Sequence, residues 1–311
     1  MIKAHNLSKR FGDFLAVDQA NFEVRAGEVM VLLGPNGAGK TTTVRMLTSI
    51  IKPSAGNATI AGFSIIDQPA EVRSRVGVLT EHHGLYKRMN AEEYLDFFGQ
   101  LYRIPSTIIS KRRDELLHQF GLYDVKRKRL GEYSKGMRQK LALSRALIHE
   151  PPVLLLDEPT SAMDPTSARM VRDAILQLRS RDRAIILCTH NLAEAEELAD
   201  KIAIIRLGKI LFFDELSTLK EKLIGPAEYL VKLSEAAPDW TYQNTNNSIQ
   251  LESSTLYELK FSVPHSETDA PILLKSLIND GLQVKEFSQI QRSLEQAYLE
   301  VVRDGFTTDT E

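Results

Sequence analysis

Gly34-Pro35-Asn36-Gly37-Ala38-Gly39-Lys40-Thr41-Thr42 is the stretch on which the reading of this chain turns. It fits the pattern G-x-x-x-x-G-K-[ST], with an apolar run, Glu28–Leu33, before it and a helical pattern, Lys40–Ile51, after it. A strand–loop–helix unit of this kind holds phosphate. The glycines let the backbone curl until its N–H groups point inward. The helix that opens near Gly39 presents the positive end of its dipole. Lys40 adds a full charge for the outer phosphates, and the Thr41 hydroxyl can ligate Mg²⁺. The competing reading, a plain glycine-rich turn, does not explain the flanking strand and helix.

A phosphate loop needs an acidic partner at the end of a buried strand. Val153-Leu154-Leu155-Leu156-Asp157-Glu158 provides it. Asp157 is expected to hold the magnesium ion through water, and Glu158 to polarise an attacking water as general base. Alone, four apolar residues and two acids could be any strand end. Beside Gly34–Thr42 they read as the second half of a nucleotide site.

Working outward, the rest of the chain supports a parallel α/β layout. Ala184–Thr189 is a further buried strand, followed by a helix around Leu192–Leu198. Asp164 and Pro165 announce a helix as N-cap and first helical residue. Val171, Ile175 and Leu178 then fall on one of its faces. Continuous apolar strands separated by helices imply a parallel sheet covered on both faces. From about 85 to 150 no strand is evident. Ala91–Tyr102, Ser110–Phe120 and Ser134–His149 read as helices, a helical insertion. After Gly225-Pro226, Glu228–Leu233 and Glu258–Val263 read as strands. Ala270–Asn279 and Ser293–Val302 read as helices, and Asn244–Asn247 as a polar loop. The expected organisation is a first domain over 1–224, a small α+β domain over 225–303 and a flexible tail over 304–311.

Composition narrows the function classes. The 311 residues carry a formal net charge of -2, with 43% apolar and 26% charged residues. That balance disfavours a bulk electrostatic nucleic-acid binder. One cysteine, Cys188, excludes an internal disulfide framework. The apolar runs are far shorter than the roughly 18 residues of a membrane-spanning helix. Met1–Asn6 holds no apolar stretch of signal-peptide length. If the chain works at a membrane, a partner does the crossing.

Between the two halves of the site lies Tyr133-Ser134-Lys135-Gly136-Met137-Arg138-Gln139. Here the chain resembles the ATP-binding cassette (ABC) ATPases, whose signature, usually Leu-Ser-Gly-Gly-Gln, stands in the same place before the same acidic strand. The resemblance runs in order from residue 1 to about 220. It implies a P-loop NTPase fold of ATP-binding cassette type with ATP and Mg²⁺ as cofactors. Phe11 matches the aromatic that stacks on adenine, and Val17 would pad the same base. Gly34, Pro35, Asn36, Gly37, Ala38, Gly39, Lys40, Thr41 and Thr42 form the phosphate loop. Ser161-Ala162-Met163-Asp164 matches the loop after the acidic strand, and His190 the switch histidine that reaches the γ-phosphate. Two such cassettes pair head to tail around two ATP molecules. The resemblance therefore implies that Ser134, the backbone N–H of Gly136 and the helix they open face the partner's γ-phosphate. Hydrolysis opens the pair, a ligand-ordered switch.

Three positions depart from the family pattern. Glu81 stands where a glutamine usually touches Mg²⁺ and the attacking water; a carboxylate there can still ligate the metal. Lys135 and Met137 replace the usual glycine and glutamine of the signature. Glu158 and His190 are both present, which implies an active hydrolase. His82 and His83 are adjacent on an extended segment and point to opposite sides, so they do not read as a metal site. Their loop is instead expected where the cassette meets its membrane partner. Segment 111–140 holds ten basic and four acidic residues, a net +6. It reads first as a solvated face of the insertion, second as a face toward acidic lipid headgroups. Nucleic acid is disfavoured because no aromatics interleave the charges.

Ser293–Val302 is similar to the closing helix of ATPase subunits of type-2 ABC exporters, a group that includes drug-resistance and sodium-efflux systems. The implied protein is an ATP-hydrolysing subunit, paired with a second copy, energising a separate transmembrane permease from the cytoplasmic face of the membrane. The alternative is a soluble cassette ATPase acting on DNA or ribosomes. Against it stand the lack of a long coiled-coil insertion and the presence of one phosphate loop rather than two. A regulator that binds nucleotide without hydrolysis would be favoured if Glu158 or His190 were missing.

Overall fold

The structure is a computed structural model that describes residues 1–80, 84–161, 163–179, 182–219, 226–237, 240, 242, 249–290, 294–295 and 298–299. The chain divides into two compact units, one built from Met1–Leu216 and one within Ser217–Asp304. The Gly225 turn position, the Asn244–Asn247 loop and the 304–311 tail lie outside the described residues. So does most of the Ser293–Val302 helix.

In the first unit, β3 (Val29–Leu33), β6 (Val76–Leu79), β7 (Val153–Asp157), β8 (Ala184–Thr189), β9 (Lys201–Arg206) and β10 (Lys209–Glu215) form one sheet. Its order is β10-β9-β3-β8-β7-β6. Strands β9, β3, β8, β7 and β6 are parallel, and β10 closes the edge antiparallel to β9. All five residues of β3, all five of β7 and all six of β8 are buried. That is why they read as unbroken apolar runs rather than alternating ones. The acidic strand β7 and the strand that ends next to His190 are hydrogen-bonded neighbours, with Asp157 opposite Cys188.

One face of this sheet shares a core with helix α1 (Lys40–Leu47) and a second sheet. Met30, Leu32, Leu155, Ile186 and Cys188 pack with Val44, Met46 and Leu47 and with Ile2, Leu7, Val17 and Phe22. The second sheet is antiparallel, in the order β2-β1-β4-β5: β1 (Ile2–Phe11), β2 (Phe14–Val24), β4 (Ala55–Ile60) and β5 (Phe63–Ser64). The sequence reading did not foresee it. Bulges at three places in the β1–β2 pairing break the alternation that would have marked the strands.

The insertion is helical: α3 (Ala91–Leu101), α4 (Ser106–Gln119) and α5 (Lys135–Leu147). Asn90 and Glu93 form a reciprocal capping box at the start of α3. The +6 stretch is less bare than its count. Lys111, Arg112, Arg113, Lys126, Arg127 and Lys128 all sit in ion pairs. Three of the partners, Glu92, Asp96 and Glu150, lie outside the stretch. Arg113 meets Asp96 at 2.9 Å and Lys126 meets Glu92 at 3.0 Å. The Lys126 contact, against some desolvation, holds the Glu92 carboxyl below its ordinary range.

The second unit has one antiparallel sheet in the order β12-β13-β11-β14, namely β11 (Ala227–Leu233), β12 (Gln250–Ser254), β13 (Glu258–Val263) and β14 (Val284–Gln289). Helix α8 (Ser266–Asn279) supplies Leu273 and Leu277 to a core with Tyr229, Val231, Leu259 and Phe261. Residues of β11 flanking those core positions carry cross-strand ion pairs, Glu228–Lys260 at 2.7 Å and Lys232–Glu286 at 2.9 Å. Among the described residues no helix is long and apolar enough to cross a membrane.

Candidate nucleotide site

The site lies at the carboxyl ends of β3, β7 and β8, where an open α/β sheet binds ligands. The β3–α1 loop is a cradle whose shape depends on glycine at two points. Gly37 has φ 80° and Gly39 φ 111°. A Cβ on Gly39 would stand 2.6 Å from the Ala16 carbonyl oxygen. Gly34 is constrained by packing, since a Cβ there would come within 2.2 Å of the Ile205 carbonyl. The residues between keep their backbone facing a cleft of about 520 Å³, lined by Pro35, Asn36, Gly37, Gly39, Lys40, Thr41 and Thr42 together with Asp157, Glu158, Ser161 and His190. Ala38 is buried beneath the loop.

The charges of the cleft are arranged around Lys40, which is only 6% exposed. Its Nζ donates to the Gly34 carbonyl at 2.6 Å and the Pro35 carbonyl at 3.2 Å, and lies 3.6 Å from Glu158 Oε1. The ammonium is thus curled over its own loop, held by neutral carbonyls that a phosphate oxygen would outbid. Thr41 Oγ1 donates to Asp157 Oδ2 at 2.8 Å. A hydroxyl and a carboxylate side by side at a phosphate loop are hard oxygen donors of the kind magnesium takes. Glu158 Oε1 lies 2.9 Å from His190 Nδ1. Glu158 itself has φ 52°, a left-handed conformation that non-glycine residues seldom adopt. The glycine-dependent cradle, the buried lysine and this donor set fit a nucleoside triphosphate with its magnesium ion.

The structure brings most of the expected residues together and moves two of them aside. Phe11 ends β1 opposite Phe14 and carries the Lys9 ammonium 5.1 Å from its ring centroid. Phe14 lines the cleft and Phe11 does not. Val17 is fully buried, with Cγ2 3.3 Å from where a Gly39 Cβ would be. It supports the loop from beneath, and its neighbour Ala16 faces the cleft. Alternation along β2 sends neighbouring residues to opposite sides, so Ala16 and not Val17 lines the cleft. Glu81, His82, His83 and Ala162 lie outside the described residues.

Ser134 and Gly136 do not line this cleft. Ser134 caps α5, accepting from the Met137 N–H at 3.2 Å. A Cβ on Gly136 would meet nothing within 4 Å. Two buried residues to which sequence reasoning gave no role of their own also bind the turn after β7. Gln139 donates to the carbonyls of Glu158 and Pro159, and Glu194 accepts from Thr160. No local pattern reveals these bonds, because the partners lie 19 to 34 residues away.

Residues 17–161 match the family profile described as ABC transporter. The chain is 42% identical over 226 residues to the ABC transporter ATP-binding protein NatA of Bacillus subtilis (strain 168), covering 71% of this chain and 92% of that one. It is 34% identical over 302 residues to the uncharacterized ABC transporter ATP-binding protein YxlF of the same organism, covering 97% and 99%. The daunorubicin resistance ATP-binding protein DrrA3 of Streptomyces coeruleorubidus matches at 38% over 224 residues, covering 72% of this chain and 71% of that one. A solved structure of the ATP binding subunit of an ABC transporter superposes with a TM-score of 0.67 at 27% identity, over 71% of this chain and 92% of that one. Relatives that match nearly end to end, on a fold and a phosphate cradle of this kind, show that the chain belongs to the ATP-binding proteins of ABC transporters.

Proposed function

We propose that this protein hydrolyses ATP as a pair of cassettes and energises a separate transmembrane permease, as an exporter, from the cytoplasmic face of the membrane. The observation that carries the reading is the convergence on one cleft of Lys40, the Thr41–Asp157 pair and Glu158 with His190 at 2.9 Å. Glu158 takes a proton from the attacking water as general base. His190 fixes the Glu158 carboxylate through Nδ1, and its half-exposed ring closes that side of the cleft. Lys40 leaves the Gly34 and Pro35 carbonyls for the outer phosphates and offsets charge developing there. Thr41 and Asp157, with Glu81 as the further ligand the sequence suggests, would hold a magnesium ion, which when bound would supply neutralisation of phosphate charge. Phe14 and Ala16 form the base end of the site.

Ser134 and Gly136 complete the site of a second copy. Two observations support this. They stand apart from their own chain's cleft, and nothing among the described residues requires Gly136 to lack a side chain. A glycine with open space around it suits close approach by an outside group, and the α5 N-terminus suits an anion. Residues 1–224 are proposed as the cassette and 225–303 as a separate small domain; the independent core around Val231, Phe261 and Leu273 supports that division. Export rather than import follows the drug-resistance relative.

The test has two arms. Purified protein is assayed for phosphate release from ATP with Mg²⁺, wild type against Glu158→Gln. The chain is also crosslinked in its native membranes and its partners identified. The expected outcome is turnover lost in the variant and an integral membrane protein recovered with the wild type. Active protein with no membrane partner would refute the permease assignment and leave the ATPase standing.

A further inference from the structure

Glu158 is held in its left-handed conformation from outside the cleft. Its N–H donates to the Cys188 carbonyl at 2.9 Å. Gln139 Nε2 donates to the Glu158 carbonyl at 2.8 Å and to the Pro159 carbonyl at 2.5 Å. Only a primary amide offers two hydrogens from one nitrogen to two neighbouring carbonyls without bringing a charge. On the next residue, the Thr160 hydroxyl donates to Glu194 Oε1 at 2.8 Å. Glu194 also accepts from Thr189, the residue before His190, and those bonds offset the burial that holds its carboxyl above the ordinary range. Gln139 is 3% exposed and Glu194 2%. Neither lines the cleft.

Buried polar side chains are retained where every bond is made, and these two spend theirs on the turn that carries Glu158 and on the strand end that carries His190. We propose that Gln139 and Glu194 are positioning residues of the hydrolytic site: Gln139 fixes the Glu158–Pro159 backbone, and Glu194 ties Thr160 to Thr189, so that Glu158 and His190 stay in register. Gln139 sits in α5, five residues beyond its cap Ser134. The same helix therefore carries the anion-binding end proposed for the partner's nucleotide and the amide that aims its own chain's base. The inference rests on the reading of Glu158 as base.

The test compares kcat, KM, affinity for a fluorescent ATP analogue and Tm for wild type, Glu158→Gln, Gln139→Met, Glu194→Leu and Glu194→Gln, all in the full chain. Gln139→Met and Glu194→Leu should lower kcat about 10- to 100-fold while KM and nucleotide affinity stay within about twofold, because a misaimed base costs rate and not binding. Glu194→Gln, which still accepts from Thr160, should restore most of the kcat lost in Glu194→Leu. If a buried variant fails to fold, Thr160→Val removes one hydroxyl at a partly exposed position and should give about a 10-fold loss in kcat with unchanged affinity. Undiminished kcat in these variants, or a parallel fall in kcat, affinity and Tm, would overturn the proposal. Turnover by Glu158→Gln near the wild-type rate would instead overturn the base reading on which it stands.

Discussion

Replacing Gly39 by alanine tests the phosphate cradle with a magnitude that the structure sets. At φ 111° a residue with a Cβ is strained, at roughly 1–3 kcal/mol. The new Cβ would also stand 2.6 Å from the Ala16 oxygen, a backbone atom that cannot swing away as a side-chain tip would. That is about 1 Å inside ordinary contact, and relieving it by shifting the loop costs a further ~1–3 kcal/mol. The loop, not the core, absorbs the change, so the loss should appear in nucleotide binding: about 3 kcal/mol or more, at least ~100-fold in Kd. Gly37→Ala is the internal comparison. Its φ is 80°, but nothing lies within 4 Å of its Cβ. Only the backbone cost applies, about 1–2 kcal/mol or roughly 5- to 30-fold in Kd. The assay is titration of each variant with a fluorescent ATP analogue, with Tm as a check on folding. Wild-type affinity in Gly39→Ala, or a larger loss in Gly37→Ala than in Gly39→Ala, would show that the loop does not cradle the phosphates in this way.

Gly136→Ala should leave Tm unchanged or slightly raised, since the position opens a helix and has room, yet lower ATP turnover more than about 10-fold because the methyl crowds the partner's phosphate; unaltered turnover would contradict the completion of the site by a second copy. Lys40→Ala removes a buried charge worth about 4 kcal/mol to a phosphate at 4 Å and an effective dielectric near 20, so ATP affinity should fall at least ~100-fold by calorimetry. Burial against Tyr102 holds the His149 imidazole down to about 4 from the usual 6.5, with the ring stacked at 3.7 Å. The unfolded chain binds the proton first as pH falls, so the neutral ring's contribution is complete above about 6.5 and declines between 6.5 and 4. Its full size is on the order of 3 kcal/mol. Denaturant titrations at pH 7 and pH 5 should show a loss that His149→Phe reduces.

The strands of the site were legible because they are buried on both faces and carry no alternation to misread. Val153–Asp157 and Ala184–Thr189 stand where the sequence placed them. The Asp164 cap and Pro165 start were equally plain, and the structure shows Asp164 accepting from the Ser167 N–H at 3.0 Å. The phosphate loop declared itself because its function constrains residue type at fixed spacing. What escaped was set by register and by distant pairing. Whether Val17 or Ala16 lines the cleft depends on one step along a bulged strand. Whether Phe11 or Phe14 lines the cleft depends on the hairpin that joins them. Gln139 was legible only as part of a motif, although its side chain binds main chain 19 and 20 residues away. The pairing of the +6 stretch was not legible from its count, because three of the acids that pair with it lie outside it.

In the proposed mechanism Glu158 serves as the base for ATP hydrolysis in a site completed by a second copy of the chain. The most direct measurement is the solution mass of Glu158→Gln with ATP and Mg²⁺, with ADP, and without nucleotide, by size-exclusion chromatography with light scattering. A stable dimer is expected with ATP and Mg²⁺ and in neither other condition, and it should be lost when Ser134→Arg is added to block the α5 end. A Glu158→Gln chain that binds ATP yet stays monomeric, or one that turns ATP over near the wild-type rate, would contradict it.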